Sequence, residues 1–120
     1  MINEKNILEI GSDLFGGFWP GIQLYYPPVK YSPSSSSYED LEAASLRFKK
    51  HAHQTIAHTL IFDLEDGCRK KELSRELLKL ELSGLRKSRP DVQIAIRINP
   101  FRTVEFEKDI TLLKTVSDYV

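Results

Sequence analysis

Apolar residues along the chain fall into segments that alternate between the period of a strand and the period of a helix. Short runs rich in β-branched and aromatic residues, Ile22–Tyr26, Thr59–Leu64 and Val92–Ile98, are bounded by proline, glycine or charged residues, as buried strands are. Each run precedes a longer segment whose apolar residues recur every three or four positions. The pattern predicts three strand–helix units, an α/β fold with a parallel sheet.

The predicted helices differ in how clearly their ends are marked. The first, Tyr38–His51, follows Ser37, which has an acidic residue three positions later and resembles the start of a capping box. The second, Lys70–Lys87, carries the widest apolar stripe, and the third begins after Thr103 as N-cap. The last three residues, 118–120, are predicted to open a fourth strand.

Two segments lack this regular pattern. Residues 1–20 contain glycine and proline at a density that excludes a long element, so we expect an N-terminal arm or cap with a short helix near Glu4–Ile10. The loop PPVKYSPSSSS after the first strand is predicted to be a solvated linker, and its alternative role is phosphate binding through Lys30 and the serines. Residues 21–120 are expected to form the folded domain.

Composition excludes several classes of partner. The 120 residues suit one globular domain, with 41% apolar and 28% charged residues, and the 17 basic residues balance the 17 acidic ones. No overall field therefore recruits nucleic acid or an anionic membrane. No signal peptide or membrane span is recognisable, and Cys68 has no second cysteine to pair with, so we expect a cytoplasmic protein.

Charged residues follow two neighbouring strands where each strand ends. Asp63, Glu65 and Asp66 lie at the end of the second strand, and Arg97 lies at the end of the third. Because ligands bind at the carboxyl ends of parallel strands, we expect these side chains to lie together at one site. Two interpretations remain open. Arg97 either neutralises the carboxylates, or binds a substrate carboxylate while the acids position a metal and its waters.

Histidine and cysteine give weaker indications of chemistry. His51, His53 and His58 are spaced so that one helical face cannot present all three, which disfavours a metal site. Cys68 has no histidine obviously placed to activate it, which disfavours a nucleophilic thiol.

Several short motifs, taken in order, resemble the N-terminal part of the HpcH/HpaI aldolase and citrate lyase β-subunit family. They are LIFDLEDG, the pair Ser74-Arg75 on a helix, IAIRINP, and an acidic residue that heads the next helix, Asp109, before SDYV. Members of that family carry a strand ending in DLEDA or DLEDS, an Ala-Arg pair and a strand with RVN or RIN. The resemblance covers about residues 24–120.

The resemblance implies a (β/α)8 TIM barrel, of which this chain would form the first three βα units and the start of a fourth strand. It also implies magnesium (Mg) and a lyase that cleaves a β-hydroxy acid or its acyl-CoA thioester by retro-aldol or retro-Claisen chemistry. Arg97 would bind the carboxylate of the keto-acid product. Glu65 and Asp66 would contact the metal through water, and Asp63 would anchor the strand end. The direct metal ligands of the family lie beyond the start of the fourth strand, so none is expected here.

Three hypotheses follow from these observations. In the first, the chain is the N-terminal part of such a lyase, inactive alone, with a small carboxylic acid or acyl-CoA as ligand. In the second, it is a non-catalytic half-barrel or degenerate paralogue that completes its sheet with another copy, as a homo-oligomer, or with another subunit. In the third, it is a small flavodoxin-like binding module, which would need a switch point in its strand order.

Overall fold

Strands and helices alternate along the chain in the predicted order. The computed structural model describes residues 21–66 and 68–120, and the predicted arm or cap at 1–20, with its short helix, lies outside the described residues. The elements are β1 Gln23–Tyr26, β2 Tyr31–Ser32, β3 Ser37–Tyr38, α1 Leu41–Arg47, a π-helical turn Phe48–Ala52, β4 Thr59–Asp63, α2 Lys71–Ser88, β5 Gln93–Arg97, α3 Val104–Val116 and a 3₁₀ turn Ser117–Tyr119.

The three predicted strands form one parallel sheet with β4 in the centre. The strand order is β1-β4-β5, so sheet neighbours are also successive long strands of the chain. Leu60 of β4 lies opposite Leu24 of β1 and Ile94 of β5, and Asp63 lies opposite Arg97 at the carboxyl end. The described sheet contains no switch point, which is the feature that the flavodoxin-like hypothesis requires. The predicted parallel α/β arrangement is confirmed.

All three helices contribute to a single core that contacts one face of this sheet. Side chains alternate along a strand, so Leu60 and Phe62 of β4 lie on the covered face and are fully buried. The helices bury residues in the same cluster: Ala44 of α1, Leu77, Leu78, Leu82 and Leu85 of α2, and Leu112 and Val116 of α3. The opposite face carries Tyr25, which is 58% exposed. Helices on one face and sequential strand order define a singly wound layer.

The first helix begins later than its sequence pattern predicts. The predicted start after Ser37 is wrong, because α1 begins at Leu41 and its N-cap is Asp40, whose Oδ1 accepts a hydrogen bond of 2.8 Å from the Ala43 amide. Ser37 is instead part of an antiparallel hairpin formed by β2 and β3. The Tyr31 and Tyr38 rings pack edge to face across it, 5.2 Å apart. The predicted solvated linker is therefore ordered by a small hairpin.

Two predictions near the C-terminus are also wrong. Residues 117–119 form a 3₁₀ turn and not the start of a strand, since no described strand lies beside them to provide ladder hydrogen bonds, and Arg86 Nε donates to the Tyr119 carbonyl at 3.1 Å. Asp109 does not head a helix. The α3 helix begins at Val104, after Thr103, whose Oγ1 accepts from the Phe106 amide at 3.0 Å. Thr103 is the N-cap that the sequence predicts.

None of the helices within residues 21–66 and 68–120 is long and apolar enough to cross a lipid bilayer.

The two faces of the sheet should differ sharply in their sensitivity to substitution. Phe62 is fully buried between the rings of Phe48 and Tyr26, at centroid distances of 5.5 and 5.6 Å. We expect Phe62→Ala to lower the free energy of unfolding by about 3–5 kcal/mol, because it leaves a cavity. Tyr25→Ala, on the opposite face, should cost less than about 1 kcal/mol. Equal losses in urea denaturation would contradict the assignment of the faces.

Candidate functional site

Three carboxylates surround one guanidinium group at the carboxyl end of the sheet. Arg97 Nη2 lies 2.5 Å from Glu65 Oε1 and 3.0 Å from Asp66 Oδ2, and Arg97 Nη1 lies 3.8 Å from Asp63 Oδ2. The structure therefore brings together all four residues that the sequence places at neighbouring strand ends.

The backbone at this edge explains why these groups meet. Asp63 is the last residue of β4, and Arg97, the last of β5, is its partner in the parallel register. The Leu64 amide then donates a hydrogen bond of 2.9 Å to the Arg97 carbonyl, which continues the pairing beyond the strand. Asp63 Oδ1 accepts from the Glu65 amide at 2.8 Å, so the chain turns immediately after the strand. Glu65 and Asp66 are thereby placed beside Arg97.

Charge is not balanced within this cluster. Three carboxylates and one guanidinium group leave a net charge of −2 at neutral pH. Burial lowers the pKa of Arg97, but the hydrogen bond to Glu65 and the charges of Glu65, Asp63 and Asp66 outweigh that effect and raise its pKa above the usual value. Arg97 thus stays protonated while the carboxylates remain in excess.

Two of the three guanidinium nitrogens of Arg97 make no hydrogen bond to the described residues. Nη2 makes both short contacts, and the Nη1 contact with Asp63, at 3.8 Å, is too long for a hydrogen bond. Among the described residues, Arg97 Nε has no acceptor, and the side chain is 40% exposed. Nε and Nη1 therefore keep N–H donors, and each of them can donate to an oxygen atom of a ligand.

Oxygen donors of this kind suit Mg²⁺, but their placement here does not form a direct metal site. Nowhere in residues 21–66 and 68–120 do three or more His, Cys, Asp or Glu side chains form a group that could hold a metal ion. Glu65 and Asp66 both contact the Nη2 atom of Arg97, which occupies the position between them.

Sequence reasoning missed a lysine and an asparagine directly behind the acidic loop. Lys71 Nζ donates to the carbonyls of Leu64 and Glu65, at 2.8 and 3.0 Å, and to Asn99 Oδ1 at 2.8 Å. Asn99 is buried, and its Nδ2 donates to the Leu64 carbonyl at 2.9 Å. The signal available in the sequence was weak, because Lys71 belongs to a run of basic residues and Asn99 precedes a proline.

A buried ion pair lies deeper in the same network. Asp109 is fully buried, and its Oδ1 accepts from Arg75 Nε at 2.8 Å, while its Oδ2 accepts from the Asn99 amide and from Asn99 Nδ2, both at 2.7 Å. Arg75 also pairs with Glu105. Burial lowers the pKa of Arg75, but hydrogen bonds to Glu105 and Asp109 outweigh it, so the net pKa is raised. The sequence signal was Asp109 in the buried stripe of α3, three residues before Leu112.

The histidines and the cysteine are not brought to this site. His53 Nδ1 lies 2.8 Å from Ser88 Oγ, and His58 Nδ1 accepts from the Ile22 amide at 2.9 Å, while His51 is exposed. Cys68 is buried, and its Sγ lies 3.2 Å from Ser74 Oγ. Burial raises the pKa of the Cys68 thiol.

Comparison of the chain with protein-family models, with curated proteins and with solved structures gave no match.

Removing the charge of Asp109 should destabilise the protein more than removing the charge of an exposed carboxylate. Asp109→Asn keeps the shape of the side chain but leaves the Arg75 guanidinium group buried without its principal counter-ion. We expect a loss of about 3–5 kcal/mol in the free energy of unfolding, measured in urea. Asp118→Asn, at an exposed position, is the control. A loss below about 1 kcal/mol for Asp109→Asn would rule out this account of the ion pair.

The Cys68 thiol should react slowly while the protein is folded. A raised pKa leaves less thiolate at any given pH, and burial restricts access to the sulfur atom. We expect alkylation by iodoacetamide at pH 8 to be at least roughly tenfold slower than for the urea-unfolded chain, and to accelerate as the pH rises above 9. Equal rates in the folded and unfolded states would show that the thiol is accessible.

Proposed function

We propose that this chain is the N-terminal portion of a (β/α)8 barrel, and that the barrel is a carbon–carbon lyase of the HpcH/HpaI aldolase and citrate lyase β-subunit type. The observation that carries the proposal is the Arg97 guanidinium group, held at Nη2 by Glu65 and Asp66 while its Nε and Nη1 donors stay unused. Its position at the carboxyl end of the β4–β5 pair corresponds to the end at which barrel enzymes bind their substrates.

The architecture supports a barrel segment over other α/β folds. In a barrel, successive strands are neighbours and every helix lies outside, whereas a doubly wound sheet has helices on both faces and a switch point. Here the order β1-β4-β5 follows the chain, and α1, α2 and α3 bury their apolar residues in one cluster. Tyr25, exposed on the other face, would then point into the barrel.

Arg97 favours a small organic acid as ligand. The free Nε and Nη1 donors lie at fixed positions in the guanidinium plane and can each donate to a carboxylate oxygen, an arrangement that lysine cannot reproduce. The net charge of −2 in this cluster repels anions at long range, so binding must depend on short hydrogen bonds from Arg97 and on a compensating cation. The family resemblance implies that the bound group is the carboxylate of a keto acid or of its β-hydroxy precursor.

The proposed reaction is a retro-aldol or retro-Claisen cleavage. The hydroxyl proton of the β-hydroxy acid passes to a base, the carbon–oxygen bond becomes a carbonyl, and the carbon–carbon bond breaks. Its electron pair leaves on the other fragment as an enolate, which is then protonated. Arg97 would hold the fragment that becomes the keto acid throughout, so that it stays oriented while the bond breaks.

Magnesium, which the family resemblance implies, is not assigned a direct ligand among the described residues. Glu65 and Asp66 could hold its waters, and the ion would supply positive charge against the enolate oxygen. The carboxylate oxygens of both residues contact Arg97 Nη2, so their direct role is to hold the arginine side chain in place.

Replacing Arg97 by lysine tests the proposal directly. Arg97→Lys keeps the positive charge but loses the planar Nε and Nη1 donors, so we expect binding of pyruvate and oxaloacetate to weaken at least roughly tenfold. The measurement is titration of the 15N-labelled chain with each acid, with and without magnesium chloride, following the backbone amide signals of the acidic loop. Thermal unfolding should stay close to that of the wild type.

The matched control is Arg69→Lys, which changes an exposed arginine in the loop that follows the acidic residues. It should leave binding of both acids unaltered. If Arg97→Lys binds the acids as well as the wild type does, the role given to Arg97 is wrong.

The second candidate function is a non-catalytic half-barrel that completes its sheet with another chain. The specific observation in its favour is the sheet itself: within the described residues, β1 and β5 each pair with one strand only, and both carry a free edge.

Light scattering after size exclusion distinguishes the two candidates. A half-barrel partner should elute as a dimer or larger species over a wide range of concentrations, since edge pairing buries exposed backbone groups. Charging the edge by Tyr25→Lys should return it to a monomer, with Leu46→Lys as the control on an exposed helix position. A stable monomer in the wild type would exclude pairing with a second copy and would count against this candidate.

A further inference from the structure

Behind the acidic loop, Lys71 makes contacts that neither helix stability nor charge balance explains. Its ammonium group has three donors, and all three are used by neutral oxygens: the carbonyls of Leu64 and Glu65 and the Oδ1 of Asn99. No carboxylate of the described residues lies within ion-pair distance of Lys71. A partly buried cation on carbonyl oxygens gains no direct counter-ion, and a base in the first turn of α2 opposes the helix dipole.

The two carbonyls that Lys71 binds belong to the turn that carries the acidic residues. The Glu65 amide donates to Asp63 Oδ1 at 2.8 Å, and the Glu65 carbonyl accepts from Lys71 at 3.0 Å. The amide and the carbonyl of Glu65 are thus each bound by a side chain, one from β4 and one from α2. With its backbone held in this way, Glu65 has a narrow range of positions for its carboxylate, and that carboxylate contacts Arg97.

Lys71 is itself held in place by buried groups. Asn99 is 6% exposed; its Oδ1 accepts from Lys71 and its Nδ2 donates to Asp109, an orientation in which the amide oxygen faces the cation and the amide nitrogen faces the carboxylate. Asp109 is fully buried and paired with Arg75. The contacts therefore form a continuous series that runs from Arg75 through Asp109, Asn99 and Lys71 to the carbonyls of the turn.

We propose that Lys71 is a positioning residue: anchored by Asn99 and Asp109, it holds the Leu64 and Glu65 carbonyls and so sets where the acidic loop meets Arg97. The inference rests on the proposed function only in that it concerns the same site. The geometry it describes, with Glu65 held against Nη2 while Nε and Nη1 keep free donors, exists whether or not a carbon–carbon bond is ever cleaved there.

The test measures the mobility of the Arg97 side chain in the full 120-residue chain by 15N NMR. In the wild type, rotation about the Nε–Cζ bond should be slow, because Nη2 is held by Glu65 and Asp66. In Lys71→Met that rotation should become at least roughly tenfold faster, and the Glu65 and Asp66 amides should exchange with solvent faster by a similar factor. Lys79→Met, on the same helix, should change neither rate.

A second control separates positioning from simple loss of stability. Leu85→Ala removes a fully buried side chain of α2 and should lower the unfolding free energy while leaving Arg97 rotation slow. If Lys71→Met leaves rotation slow, or if Leu85→Ala speeds it equally, the positioning role is overturned.

A measurement on the wild type covers the case in which Lys71→Met does not fold. The Lys71 ammonium group should exchange slowly with water and show scalar coupling to the carbonyl carbons of Leu64 and Glu65. Absence of that coupling would overturn the inference. Failure of the acids to bind at Arg97, together with fast rotation in Lys71→Met, would instead reject the proposed function and leave the positioning role intact.

Discussion

The buried Arg75–Asp109 pair is the interaction on which the rest of the structure depends. A carboxylate with no exposed surface is tolerated only when charge and hydrogen bonds compensate it, and Asp109 receives both from Arg75 and Asn99. These residues come from α3, α2 and the loop after β5, so satisfying one charge fixes three elements relative to one another. Hydrophobic burial determines which faces of these elements pack together, whereas this hydrogen-bonded network determines the register in which they pack.

That register determines the chemistry available at the edge of the sheet. Parallel pairing places Asp63 opposite Arg97, and the turn held by Lys71 brings Glu65 and Asp66 to the same guanidinium group. The result is an arginine supported on one side by carboxylates and open on the other. An isolated arginine on a surface would be mobile and would give little selectivity, whereas a supported one presents its free N–H donors at fixed positions.

The sequence was sufficient to predict the elements whose signals are local. Alternating apolar runs located all three long strands, and Thr103 marked the start of α3. Prediction from the sequence failed where the structure of a segment depends on residues outside that segment. Ser37 pairs across a hairpin and does not cap a helix, and residues 117–119 have no described neighbour with which to form a strand. The proximity of Arg97 to the acidic loop followed from strand topology, whereas the contacts of Lys71 and Asn99 depend on side-chain packing that no spacing rule encodes.

The acidic loop and Arg97 form one coupled site in the structure. A double-mutant cycle of unfolding free energies with Glu65→Gln and Arg97→Gln measures this coupling. If the two side chains are coupled, the double mutant should lose less stability than the sum of the single mutants, and this coupling should decrease as sodium chloride is added. Additive losses at low salt would contradict it, because the two side chains would then contribute independently.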